Sequence, residues 1–192
     1  TPSLFGITKS SGASSAITGT IATPVTISNL VTSGATTFNN LANLTIGSSL
    51  TLTSGVFTNN ASKTINFGSG ATITRTAGTI VNSGNAFTYG GLINLTYNNA
   101  ANISTGPELP TVPTTLGTLT INTAAANSLT LAANASPNGA VTINSGTLNL
   151  STFTLDLNSG SFGIIVNGTA SLLVPTTFPS GYNTYTFASG SP

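Results

Sequence analysis

The sequence predicts an all-β protein, a right-handed parallel β-solenoid with three short strands per coil. Three observations predict it. Apolar-polar-apolar triplets recur throughout the chain. They return at a spacing near 22 residues. Almost no charge is present to interrupt them.

The triplets come first. They include Leu44-Thr45-Ile46, Leu50-Thr51-Leu52, Ile65-Asn66-Phe67, Leu119-Thr120-Ile121, Leu129-Thr130-Leu131, Val141-Thr142-Ile143, Leu148-Asn149-Leu150 and Leu155-Asp156-Leu157. On a strand the flanking residues point to one face and the middle residue to the other. Gly, Ser and Asn separate the triplets, as turns require. Thr, Asn and Gly are poor helix formers, and no sustained i, i+3, i+4 apolar pattern replaces the alternation.

The larger period follows from aligning the triplets. Ile46, Leu52 and Phe57 are followed by Phe67, Ile73 and Ile80, displaced by 21, 21 and 23 positions. Phe87, Ile93 and Ile103 come next, displaced by 20, 20 and 23. Later, Val141, Leu148 and Leu155 form a set, and Ile164 and Leu172 follow its first two members by 23 and 24. Ile121 precedes Ile143 by 22. Such a period, filled by three short strands, predicts coils whose side chains stack in ladders and together bury a core that one coil cannot. The 192 residues allow about 8 or 9 coils, a rod roughly 40 Å long at the ~4.8 Å strand spacing. The alternative architecture is an antiparallel β-sandwich, which explains the alternation but not the steady recurrence.

One segment interrupts the period. Ser104-Thr105-Gly106-Pro107-Glu108-Leu109-Pro110-Thr111-Val112-Pro113 carries three prolines that cannot occupy central strands. Residues 1–192 are therefore expected to form a single elongated solenoid body, with a Pro-rich loop at 104–115 between two runs of coils. The loop is read as a connector.

Composition excludes whole classes of function. Charged residues are 3% of the chain, with three Lys/Arg, two Asp/Glu, no His and no Cys. An average globular protein is about 25% charged. In their place stand 37 Thr, 24 Ser and 22 Asn. No cofactor and no metal site is expected, because the usual ligands are missing. Calcium-binding β-rolls need repeated Asp, and this chain has one. General acid/base catalysis lacks its groups, so no enzyme is expected. Glu108 and Asp156 lie 48 positions apart, away from a multiple of the period, and Asp156 should point outward. Lys9, Lys63 and Arg75 cannot make a basic patch, so no nucleic-acid partner is expected. No apolar run approaches the roughly 18 residues of a membrane-spanning helix.

Other motifs carry little. Asn-x-Ser/Thr occurs at Asn43, Asn60, Asn94, Asn102, Asn134, Asn149 and Asn167, as often as this composition produces by chance. Thr51/Thr53 and Thr72/Thr74 could stack as an ice-binding array, but Asn94 and Ala140 break it. Asn59, Asn60, Asn82, Asn98 and Asn99 fall at corners and could form amide ladders.

Residues 89–160 run Tyr97-Asn98-Asn99, Thr105-Gly106-Pro107-Glu108-Leu109-Pro110, Leu116-Gly117-Thr118-Leu119-Thr120-Ile121-Asn122, Gly139-Ala140-Val141-Thr142-Ile143 and Ser145-Gly146-Thr147-Leu148-Asn149-Leu150. This succession resembles the β-helical repeat regions of large secreted surface proteins of Bacteroidota-type bacteria. The resemblance implies export to the cell surface and an adhesive or scaffolding role. It brings no catalytic residues with it.

The ends complete the expectation. The chain starts at Thr1 without a basic n-region or apolar h-region, as a processed or excised segment would. Neither 1–23 nor Tyr182-Asn183-Thr184-Tyr185-Thr186-Phe187 carries the charges or helix that cap soluble solenoids. An extracellular structural protein is expected, self-assembling end to end into a fibre, filament or sheath, or forming a segment of a surface rod. Its partner would be itself, head to tail. Phe5, Tyr182, Tyr185 and Phe187 are the expected self-association residues. The alternatives are a surface adhesin that binds glycan or a cell surface, and an ice-binding solenoid.

Overall fold

The computed structural model describes residues 7–9, 15–17, 25–34 and 37–188. Among them there is no helix, and the strands stack as a parallel β-solenoid of about 7 turns. The chain divides into two compact units, Thr1–Ile93 and Asn94–Pro192. The first unit runs β1 (Ile7–Lys9), β2 (Ser15–Ile17), β3 (Val25–Thr32), β4 (Thr37–Asn40), β5 (Leu44–Leu52), β6 (Val56–Asn59), β7 (Ile65–Phe67), β8 (Thr72–Arg75), β9 (Thr79–Asn82) and β10 (Thr88–Tyr89). Strand β11 (Ile93–Tyr97) begins at the boundary. The second unit continues with β12 (Ile103–Ser104), β13 (Leu116–Asn122), β14 (Ser128–Thr130), β15 (Val141–Ser145), β16 (Thr147–Asn149), β17 (Gly163–Val166), β18 (Ser171–Leu173) and β19 (Thr184–Phe187).

Coils of the first unit have three sides. Val25–Ile27 of β3, Leu44–Ile46 of β5, β7 and β10 follow one another on the first side. The second side holds β1, the end of β3, the end of β5 and β8. The third holds β2, β4, β6 and β9. In the second unit one side is β11, β13, β15, β17 and β19, and another is β12, β14, β16 and β18. The third side there is reduced to a bridge between Ala135 and Leu155. The strands of both units pair in parallel, which a hairpin-built sandwich does not give.

The period is elastic. Phe38 pairs with Phe57 after 19 residues, whereas Ile103 pairs with Leu129 after 26. The 26-residue step contains the Pro-rich segment, which lengthens that coil by about four residues over the ~22-residue period. Two expected pairings are shifted. Ile73 stacks on Leu50, not Leu52, and Leu52 pairs with Arg75. Phe67 pairs with Tyr89, not Phe87, although its ring touches both. The Ile46–Phe67, Phe57–Ile80, Ile121–Ile143, Val141–Ile164 and Leu148–Leu172 pairings are as the period predicts.

The core consists of columns of like residues. Leu30, Leu50 and Ile73 form one, all buried. Leu119, Val141 and Ile164 form a second, and Ile121, Ile143 and Val166 a third. Full burial of such a side chain is worth about 1.5–3 kcal/mol, so each three-residue column contributes several kcal/mol. Phe38 and Phe57 stack at 5.4 Å within a column of their own.

Asparagine completes the corners. Asn40 Nδ2 donates to Asn59 Oδ1 at 2.9 Å, and Asn59 Nδ2 donates to Asn82 Oδ1 at 2.9 Å. Elsewhere a side-chain oxygen of one coil accepts the backbone N–H of the next: Asn43 from Thr64, Asn94 from Thr118, Asn102 from Ser128 and Asn134 from Thr154. These bonds tie successive corners together without any charge.

The Pro-rich segment lies within the second unit, after β12 and before β13. Glu108, Leu109 and Pro110 are buried. Glu108 Oε1 accepts the Tyr97 hydroxyl and the Gly106 N–H, both at 2.9 Å. Thr111, Val112, Pro113 and Thr114 are exposed. The loop is therefore anchored at its first half and open at its tip.

Candidate functional site

The last coil of the second unit is unlike those before it. Strand β19 pairs with β17 on one side, Ile164 with Tyr185 and Val166 with Phe187. This register puts Tyr185 on the Leu119–Val141–Ile164 column and Phe187 on the Ile121–Ile143–Val166 column. The earlier members of both columns are fully buried. Tyr185 is 37% exposed and Phe187 is 50% exposed. These two occupy core positions, yet among the described residues no strand stacks on their far side.

The backbone is open there as well. Ala188 N–H donates to Val166 O at 2.8 Å. Residues alternate sides along a parallel strand, so the N–H and C=O groups of Tyr185 and Phe187 point away from β17. All four residues of β19 are exposed. On the neighbouring side β18 pairs with β16 alone among the described residues, and its Leu173 is 54% exposed. Phe178 is 48% exposed, with its ring 5.0 Å from that of Tyr185.

Tyr185 is held in place from below. Its hydroxyl donates to Pro179 O at 2.6 Å, and its ring lies 6.0 Å from that of Tyr182. Tyr182 is only 8% exposed, so it supports the surface more than it presents one. Its hydroxyl is buried with no hydrogen-bond partner among the described residues. Burial, with smaller contributions from Asp156 and Tyr185, pushes its pKa well above the ordinary tyrosine value. Of the residues expected from the sequence, Tyr182 and Tyr185 meet, and Phe187 lies two positions further along the same edge. Phe5 lies outside the described residues. Phe178 and Leu173 were not expected. Pro175–Ser180 carries no alternation that would mark Phe178, and Leu173 falls on the outward side of its triplet.

The remaining candidates are scattered. Glu108 is buried under the loop. Asp156 is half-buried, and its Oδ1 accepts the Ser180 N–H at 2.8 Å and the Ser180 hydroxyl at 2.7 Å. Asp156 thus ties one corner to the next, as the asparagines do elsewhere. Thr51 pairs with Thr74 and Ser49 with Thr72, so the expected Thr51–Thr72 stack is out of register. Thr120 stacks on Thr142, but Ile165 follows. A longer array is amide. Asn98, Asn122, Asn144 and Asn167 are linked Nδ2 to Oδ1 at 2.8, 2.7 and 2.8 Å.

No family model, no curated protein and no solved structure matches this chain.

Proposed function

We propose that this chain is a structural protein of the cell exterior that assembles end to end into a fibre, filament or sheath, or supplies a segment of a surface rod. The observation that carries the reading is Phe187. It sits on a core column and is half exposed, on a strand whose outer N–H and C=O groups are unpaired by any described residue. An exposed, uncharged edge strand is a template for another strand. Natural soluble proteins guard such edges with lysine, proline or a covering segment, and none stands within β19.

Composition supports the same reading. A net charge of +1 over 192 residues leaves little repulsion between copies. The absence of Cys, Met and Trp suits an oxidising exterior. Electron microscopy of the purified protein over a concentration series tests it. Filaments or extended rods that lengthen with concentration are expected. Monodisperse particles of one chain at every concentration would refute end-to-end assembly.

A further inference from the structure

We propose that the strand added to β19 is β1 of a second copy, laid parallel and continuing the columns that end at Tyr185 and Phe187. This rests on the reading that the chain assembles with itself, and it names the surface, the partner strand and the polarity.

The direction of the contact follows from the ladder. The β1–β3 contact and the contacts from β15 through β19 are parallel, so each of these strands has an earlier-facing and a later-facing edge. Strand β19 has its later-facing edge open. Strand β1 pairs with β3 on its later-facing edge and, among the described residues, with nothing on the other. The two open edges are the two halves of one parallel contact. Two β19 edges brought together would not be, because a two-fold axis makes strands antiparallel or presents the same edge twice.

The columns choose the same occupant. Ile7 is in register with Leu30, a buried member of a core column. In this register a β1 rung laid on β19 sets Ile7 opposite Tyr185, Thr8 opposite Thr186 and Lys9 opposite Phe187, so the apolar match is made at Ile7 alone. The contact would continue the rung-on-rung interface that β15, β17 and β19 already make. No acidic or basic residue lies in β17, β18 or β19, so Lys9 of an arriving β1 meets no like charge there. The contact is heterologous, and a heterologous contact that does not close on itself gives a polar filament.

The test uses the full chain, which contains no cysteine. Single variants Thr8→Cys, Thr184→Cys and Thr186→Cys are purified reduced, mixed pairwise and oxidised. Neighbouring strands lie about 4.8 Å apart, within reach of a disulfide. A covalent dimer is expected from Thr8→Cys with Thr186→Cys, less with Thr184→Cys two residues along the strand, and far less from any variant alone. A second variant, Phe187→Pro, removes an outward N–H and leaves the β17 pairing intact, as proline does on an edge strand. Its circular dichroism should match the unmodified chain. The concentration at which it assembles in sedimentation velocity should rise by about tenfold or more. If the unmodified chain sediments as a monomer throughout, the assembly reading fails and this proposal with it. If it assembles but neither mixture crosslinks, or Thr186→Cys alone does so as efficiently, or Phe187→Pro assembles undiminished, the β1-on-β19 contact is wrong and the assembly reading stands.

Discussion

Asn144 donates its Nδ2 hydrogen to Asn122 Oδ1 at 2.7 Å, and the same bond links Asn122 to Asn98 and Asn167 to Asn144. Each coil thereby hands an amide to the next on the surface of the second unit. The Asn40–Asn59–Asn82 ladder of the first unit does the same with its first two members buried. The two ladders differ in how much water can replace them.

That difference gives the first prediction. Asn144→Ala removes two surface bonds that water substitutes, and should cost about 1 kcal/mol. Asn59→Ala leaves the buried Asn40 amide without its partner and removes the bonds to Asn82 and Lys63 O, and should cost about 2–4 kcal/mol. Urea unfolding of the two variants measures the ordering, which an equal loss would contradict.

A second prediction concerns turn geometry. Gly146 has φ of 72°, and a Cβ there would lie 1.7 Å from Thr123 Oγ1 and 2.8 Å from Asn127 O. Gly70 has a similar φ of 77°, with nothing within 4 Å of its Cβ position. Gly70→Ala should therefore cost only the backbone strain, about 1–2 kcal/mol. Gly146→Ala adds the clash and should lose about 3 kcal/mol or more. The comparison of the two thermal midpoints isolates steric contact from backbone preference.

The third prediction is alkaline. Burial raises the Tyr182 pKa, so the folded chain keeps this proton where the unfolded chain releases it. Its contribution is fully present below the ordinary tyrosine value of about 10 and is lost as pH rises above it. Stability should fall above that pH by more in the natural chain than in Tyr182→Phe. The substitution removes a buried hydroxyl with no described partner, so it should cost little at neutral pH. Parallel pH titrations of the urea midpoint check the crossing of the two curves.

Proteolysis offers a fourth. Trypsin can cut only after Lys9, Lys63 and Arg75. Arg75 is buried, with its Nε donating to Gly78 O at 3.1 Å. Lys63 O accepts both Asn85 N–H and Asn59 Nδ2. Native protein should resist cutting after both residues for hours, while protein unfolded in urea is cut at both. Rapid cleavage after Arg75 in the native state would contradict the burial of this coil.

How far the sequence could be read depended on what each residue's neighbours allowed. Phe57–Ile80 and Val141–Ile164 were legible because an isolated triplet offers its apolar residues one column each. Leu50 and Leu52 were not separable that way. Both are buried on the same side of β5, two residues apart, and a spacing of 21 or 23 fits the period equally well. Arg75 stands on a core column because Leu52 lies beneath it, which only the corrected register reveals. The Pro-rich segment was read as a connector, yet Glu108 fastens it beneath the Tyr97 hydroxyl. Nothing in a lone glutamate between prolines signals that burial. At the open edge of the second unit, β19 was visible as an uncharged strand. The burial of Tyr182 and the exposure of Phe178 depend on the path of residues 175–182, where no period operates.

Amide hydrogen exchange at Tyr185 and Phe187, compared between dilute and concentrated protein, tests the central claim most directly. Their N–H groups point away from β17, so both should exchange rapidly in dilute protein, while Thr186, facing β17, is slower. In concentrated, assembled protein both should become protected to the level of the inner rungs. Protection already present in dilute monomer, or fast exchange persisting inside formed filaments, would contradict assembly through this edge.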